Sequence, residues 1–286
     1  MRTPAAAGDG LRAVEGFLAC PICGGTLRTA GRCLRCDLRH SFDRARQGYV
    51  NLMPGDAAPG TADTAEMVQA REEFLRAGHY DPLAALLAAR AQRLCGGGLV
   101  VDAGAGTGYY LRAVLNGLPE AVGLAVDLSR FALRRAARAH PRAGAIGWDI
   151  WRPLPLRQQT AALVLNVFAP HNGAQFNRIL RRDGALLVAT ATSRHLRELV
   201  ALLGLLSVDA QKDARLARAL SPHFRLIGRA ERTAQLQLTA AEVELLARMG
   251  PSGHHLAPDE VRRRVVSLGE SVRVTGSFAL LTYLPR

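Results

Sequence analysis

The stretch Val100-Val-Asp-Ala-Gly-Ala-Gly-Thr-Gly-Tyr109 limits what this chain can fold into more than any other segment. An apolar run, Leu99 to Val101, ends in Asp102, three glycines follow at alternate positions, and a helical pattern begins. Gly104, Gly106 and Gly108 let the backbone turn sharply and let a ligand sit against it with no Cβ in the way. A dinucleotide-binding loop has its third glycine one place later, where Tyr109 stands. Asp102 would also repel a pyrophosphate, whereas it suits a ligand with an ammonium group, such as S-adenosylmethionine.

From Gly98 onward, strand-like and helix-like patterns alternate. Strands are expected at residues 99–102, 122–127, 143–146, 161–167 and 185–190, with 180–184 as a tight turn before the last. Helices are expected to start near Thr107, Ser129 and Gly173, and another at 194–206. Such alternation implies a parallel sheet with right-handed crossovers. The end differs, with strands expected at 225–227, 234–238 and 271–284 and helices at 240–248 and 258–268. Ahead of the sheet, helices are expected at 64–77 and 82–94, with Asp81 as N-cap and Pro82 in the first turn.

Two further acids fall where a nucleoside would need them. Asp127 ends the second strand, where a carboxylate can accept both ribose hydroxyl protons. Asp149 follows the third strand in Gly147-Trp-Asp-Ile-Trp151, placed to accept from an adenine amino group with Trp148 or Ile150 against the ring. Each has a plainer explanation alone: Asp127 can cap the helix at Ser129, Asp149 can be a solvated acid, and the tryptophans can simply pack. The glycine turn and both acids come in order at one sheet edge, which favours a pocket. Together with Asn166–Pro170 and Arg181–Gly184, these segments resemble in order the motifs of class I S-adenosylmethionine-dependent methyltransferases. The resemblance implies an α/β, Rossmann-like seven-stranded sheet with the last strand antiparallel. It also implies Asp102 and the glycines near the methionine part, Asp127 on the ribose and Asp149 near adenine.

Four of the five cysteines crowd into Cys20-Pro-Ile-Cys23 and Cys33-Leu-Arg-Cys36, followed by His40. Clustered thiols without a secretion signal fit metal ligation in a reducing compartment, hence a cytoplasmic protein. Spacing alone permits four thiolates around zinc, or Cys20, Cys23, Cys36 and His40 with Cys33 spare. A structural zinc would stabilise a segment too small to fold alone. Three zones result: a zinc-binding module at 1–52, which the second resemblance below makes an RNA-recognition module, a linker with helices at 53–97, and the methyltransferase domain at 98–286. Cys95 reads as a small buried residue.

A second resemblance covers most of the chain. Cys36-x-x-x-His40-Ser-Phe-Asp43 with Gln47-Gly-Tyr-Val-Asn-Leu52 is similar to the amino-terminal module of RlmA-type 23S rRNA guanine-N1 methyltransferases. That family includes macrolide-resistance enzymes of antibiotic-producing actinomycetes, the branch the chain resembles more closely. Residues 63–80, Asn166–Pro170 and Met249-Gly-Pro-Ser252 extend the match. It implies Cys20, Cys23, Cys36 and His40 as zinc ligands, a 23S rRNA hairpin as substrate and a homodimer. Asn166 becomes a candidate for hydrogen-bonding the guanine edge and Phe168 for stacking on an extruded base. His171, His254 and His255 are weaker candidates for chemistry, and no proton acceptor stands out.

The net charge of +13 agrees with an anionic partner. Arginine makes up all but one of the 37 basic residues, Lys212 being the lysine; this reflects a GC-rich genome rather than recognition. Arg28, Arg32, Arg35, Arg39, Arg44 and Arg46 crowd the module, where Phe42 and Tyr49 can add stacking. Arg130, Arg134, Arg135 and Arg138 form a basic helix, a pattern most often merely solvated. No run approaches the ~20 apolar residues of a membrane span. Two rivals remain: a small-molecule methyltransferase of antibiotic biosynthesis, and a zinc-module nucleic-acid binder with an inactive methyltransferase domain. The first leaves the module and the charge without a role; the intact glycines and acids argue against the second.

Overall fold

A computed structural model describes residues 9–55, 62–203, 211–250, 263–265 and 270–286. The first helix, α1 (Asp9–Glu15), precedes four short strands: β1 (Arg28–Ala30), β2 (Cys33–Arg35), β3 (Ser41–Asp43) and β4 (Val50–Asn51). Then come α2 (Ala65–Arg76), α3 (Asp81–Leu94), β5 (Gly98–Ala103), α4 (Tyr109–Gly117), β6 (Ala121–Asp127), α5 (Arg130–Ala136) and β7 (Ala143–Gly147). The chain continues through β8 (Ala161–Val167), α6 (Gly173–Ile179), β9 (Leu180–Ala191), α7 (Arg197–Leu203), α8 (Lys212–Leu220), β10 (Phe224–Thr239), α9 (Ala240–Met249) and β11 (Ser271–Pro285).

The main sheet runs β10-β11-β9-β8-β5-β6-β7-β4. β11, the last strand, is antiparallel to both its neighbours, and the other pairings are parallel. Seven of these strands form the expected methyltransferase sheet. The eighth is β4, which the module lends to the edge of β7 through Val50↔Ile146 and Asn51↔Gly147. β1, β2 and β3 form a separate antiparallel sheet.

Both faces of the main sheet are covered, so its central strands read as continuous apolar runs. Val100, Ala125 and Leu165 point into one core with side chains of α3, α4 and α9. Leu99, Val101, Leu124 and Val126 point into the other, formed with α1, α6, α8 and the module's Leu18, Leu27 and Leu34. α1 was not expected. It lies directly on β7, where a Cβ on Gly10 would come within 2.1 Å of the Ala143 carbonyl oxygen.

Other departures have local causes. Asp81 does not cap α3; Tyr80 holds that position and makes no side-chain cap, because the Asp81 carboxylate accepts from the Tyr109 hydroxyl instead. The turn expected at 180–184 is a bulge inside β9, since Ala161 pairs with Leu180 and Leu163 already with Ala185. The two strands expected at 225–227 and 234–238 are one, β10, with an irregularity at Leu226/Gly228. α8 was also missed. The helix expected at 258–268 lies largely outside the described residues, as do His254, His255 and the Pro251-Ser252 end of the family match.

Candidate active site and metal centre

The carboxyl ends of β5, β6, β7 and β8 bring the sequence-predicted cofactor residues to one edge. Gly104, Gly106 and Gly108 all have positive φ, at 83°, 54° and 78°. A Cβ on Gly104 would lie 2.4 Å from the Ala169 Cβ, so a side chain there would strain the backbone and strike the loop after β8. Asp127 fixes the turn: one carboxylate oxygen accepts the Gly106 N–H at 2.8 Å and the other the Ser129 N–H at 2.8 Å. Each oxygen keeps a second lone pair for a hydroxyl. Ser129, not Asp127, caps α5 by accepting from the Ala132 N–H. Asp149 is half-buried and accepts from the Trp151 N–H at 3.0 Å. Trp148 and Ile150 are buried beside it, Trp148 with its Nε1 lacking a hydrogen-bond partner.

Asp102 differs from the other acids. It is 1% exposed, and neither carboxylate oxygen has a hydrogen-bond partner. Burial, with the charge of Asp127 adding to it, pushes its carboxyl up to about 7. The buried Tyr110 hydroxyl is likewise unpartnered. Buried polar groups without partners carry a desolvation cost that a ligand can relieve. An ammonium group answers a carboxylate, so the residues fit a cofactor carrying an amino-acid moiety.

Sequence reading singled out Phe168 but missed the roles of Arg71 and of Tyr80, Tyr110, His195 and Phe278 around that ring. The Arg71 guanidinium pairs with the Asp63 carboxylate, donates to the Met249 carbonyl at 2.7 Å, and borders the space above Gly106. Asp63 in turn accepts from the Ser129 hydroxyl through its carbonyl, tying residues before α2 to the pocket. Phe168 is 42% exposed and has φ +54°, an uncommon conformation for a bulky residue that points to a functional constraint. Its ring centroid lies 5.9 Å from that of Phe278 and 6.3 Å from those of Tyr80 and Tyr110. His195 accepts the Ser277 N–H at Nδ1, so its Nε2 carries the proton and donates to the Tyr80 hydroxyl at 3.2 Å.

Asn166 requires a correction. Its side chain is fully buried, and Nδ2 donates to the Ala103 and Pro170 carbonyls at 3.0 and 2.9 Å. Oδ1 therefore accepts from Nδ1 of His171, and the amide has no hydrogen left for a base edge. Asn166 ties the ends of β5 and β8 together instead. Burial first, then the charge of Lys212, lowers His171 to about 4, which keeps the ring neutral with Nε2 as its acceptor nitrogen.

In the module, Cys20, Cys23, Cys36 and His40 place their ligand atoms within 4.8 Å of one another. The sulfurs of Cys23 and Cys36 are 3.7 Å apart, and His40 Nδ1 is 3.3 Å from the Cys36 sulfur and 3.6 Å from that of Cys20. A tetrahedron with zinc–sulfur near 2.3 Å and zinc–nitrogen near 2.0 Å separates its ligands by roughly 3.5–3.8 Å, so the set fits zinc. Two tight loops shape it. The Cys20 N–H donates to the Gly25 carbonyl at 2.7 Å, and the Cys36 N–H to that of His40 at 3.1 Å, with Arg39 at φ +65° between. Cys33 lies apart on β2, its thiol donating to the Ala30 carbonyl at 3.1 Å. Cys95 is buried, as expected.

Residues 18–57 match the zinc-ribbon family described as RlmA, N-terminal. A Streptomyces fradiae protein named 23S rRNA (guanine(748)-N(1))-methyltransferase is 47% identical over 274 residues, covering 94% of this chain and 97% of its own. The chain belongs to the 23S rRNA (guanine-N1)-methyltransferases. A Micromonospora griseorubida member, provisionally named for the same activity, is 54% identical and covers 94% of this chain and 97% of its own. A Bacillus subtilis protein, again provisionally so named, is 31% identical across 63% of the chain. For this guanine-N1 methyltransferase the fold implies S-adenosylmethionine as methyl donor, and the ribbon with its Cys3His cluster implies a structural zinc. No helix among the described residues is long and apolar enough to cross a membrane.

Proposed function

We propose that this methyltransferase transfers a methyl group from S-adenosylmethionine to N1 of a guanine in a 23S rRNA hairpin loop, and thereby confers macrolide resistance. The observation that carries the donor assignment is Asp102: a buried carboxylate without partners at the head of the glycine turn. Asp102 faces the ammonium group, Gly104, Gly106 and Gly108 leave room for the methionine part, Asp127 takes the ribose hydroxyls and Asp149 the adenine amino group. Zinc sits in the Cys20, Cys23, Cys36 and His40 set and holds the module that reads the RNA.

When bound, S-adenosylmethionine supplies an electrophilic methyl on a sulfonium. The chain's main task is alignment, since in-line displacement is governed by position. Phe168, half-exposed and backed by Tyr80, Tyr110 and Phe278, is the platform on which an extruded guanine stacks. Guanine N1 has to give up its proton as it takes the methyl, and that proton leaves to water. The setting is cytoplasmic and the assembly a homodimer, for which sedimentation should give twice the mass of one chain.

Tritiated S-adenosylmethionine with unmethylated 23S rRNA tests the reading, followed by mapping of the modified base. Label on guanine N1, with raised macrolide tolerance in cells expressing the protein, is the expected result. Label on a macrolide precursor alone, or RNA binding with no label, would overturn it.

A further inference from the structure

A cavity of about 290 Å³ opens where α2, α4 and α5 meet, and its charge is unbalanced. Arg76, Arg112, Arg134, Arg135 and Arg138 line it, against one carboxylate, Glu72. Arg135 is accounted for, since its Nε donates to Glu72 Oε2 at 2.9 Å and Nη1 to the Phe131 carbonyl at 3.1 Å. The other four arginines are exposed and have no carboxylate partner among the described residues. Two of them are held against rings: the Arg112 guanidinium lies 5.6 Å from the Tyr109 centroid and that of Arg134 5.5 Å from the Phe131 centroid. Thr107 and Tyr109, the neighbours of Gly108, also line the cavity, so it backs directly onto the methyl-donor turn.

A solvated helix face would spread such charges outward. Here three elements turn them into one concavity, where like charges raise one another's energy and low-dielectric walls focus the field on an anion. Guanidinium forks match phosphate oxygens in pairs. We propose that this cavity is a phosphodiester site, gripping the backbone of the rRNA substrate beside the cofactor turn. The inference rests on the rRNA reading above and adds a second foothold to the zinc module.

Two double variants with equal charge change make the test. One carries Arg134→Glu with Arg138→Glu in the cavity; the other carries Arg225→Glu with Arg232→Glu, exposed on β10 at the far side of the sheet. Affinity for a 23S rRNA fragment holding the target hairpin is measured across a salt series, beside S-adenosylmethionine affinity. The cavity variant should lose about tenfold or more in RNA affinity, and its log–log salt slope should shrink by roughly one to two, at ~0.9 per duplex phosphate contact. The β10 variant should stay near wild type, and both should bind the cofactor normally. Equal loss in both variants would reduce the effect to net charge and overturn the site. So would cofactor loss in the cavity variant, or protection by inorganic phosphate with RNA affinity unchanged, which would mark a free-anion pocket. A wild-type protein that binds no rRNA overturns this inference and the rRNA reading together; one that methylates rRNA while the cavity variant binds undiminished overturns this inference alone.

Discussion

Asp102 couples the pocket to pH. Its carboxyl stands at about 7 in the folded chain, because burial disfavours the charge, against ~3.9 when unfolded. A raised carboxylate favours folding while protonated, so its contribution is present below about pH 4 and is lost as pH rises to about 7. Cofactor-free protein should therefore lose stability over that range, and Asp102→Asn should flatten the loss in thermal unfolding followed against pH. A cationic ligand favours the ionised form, so S-adenosylmethionine affinity should climb through pH 7 in the wild type and less steeply in that variant. Asp127→Ala removes the clamp on Gly106 and the ribose acceptor together, and titration calorimetry should show affinity falling by about tenfold or more. In the module, Cys33→Ser should retain one zinc per chain and His40→Ala should lose it, as read by metal content. Spacing alone left that choice open, because both Cys33 and His40 stand close to Cys36 in sequence. Only the hairpin of β2 and β3 turns His40 inward and leaves Cys33 on the strand.

Among the elements, strands were the most legible. β5 to β8 are buried on both faces, and such strands write themselves as unbroken apolar runs. Asn166 shows the limit: its position at the end of β8 was clear, but its partners come from β5 and the loop at Pro170, which one segment of sequence cannot reveal. β10 was split in two because its residues are mostly exposed along an edge and rich in arginine and glutamine. α8 buries only Leu216 and Leu220 among charged residues, so its apolar content is too low to mark it as an element. α9 starts where the sequence pattern put it, at Ala240, and the structure shows a capping box of Thr239 and Glu242 fixing that start. Thr239→Ala should cost about 1 kcal/mol in denaturant unfolding. Gly104→Ala should cost more, roughly 1–3 kcal/mol from the positive φ alone, and should also weaken cofactor binding through the approach of Ala169.

For the molecule as a whole, the zinc ribbon is part of the wall of the main core. Leu18, Leu27 and Leu34 share one apolar cluster with Leu124, Val126 and Ile146. Chelation should therefore lower the melting temperature of the entire fold in a single calorimetric transition, rather than add a separate early one. A distinct low-temperature transition in the chelated protein would show the module melting alone. The fold was legible from the order of glycine turn and acids, whereas the sharing of this core was not, since it joins residues far apart in the chain, such as Leu18 and Ile146. The two residues of β4 carry a practical consequence. Because Val50 and Asn51 complete the edge of β7, with Asn51 pressed against Gly147, the ribbon is not a detachable cassette. A chimera that borrows its ribbon from a relative must therefore bring an edge pair that fits β7, or leave that edge of the main sheet open.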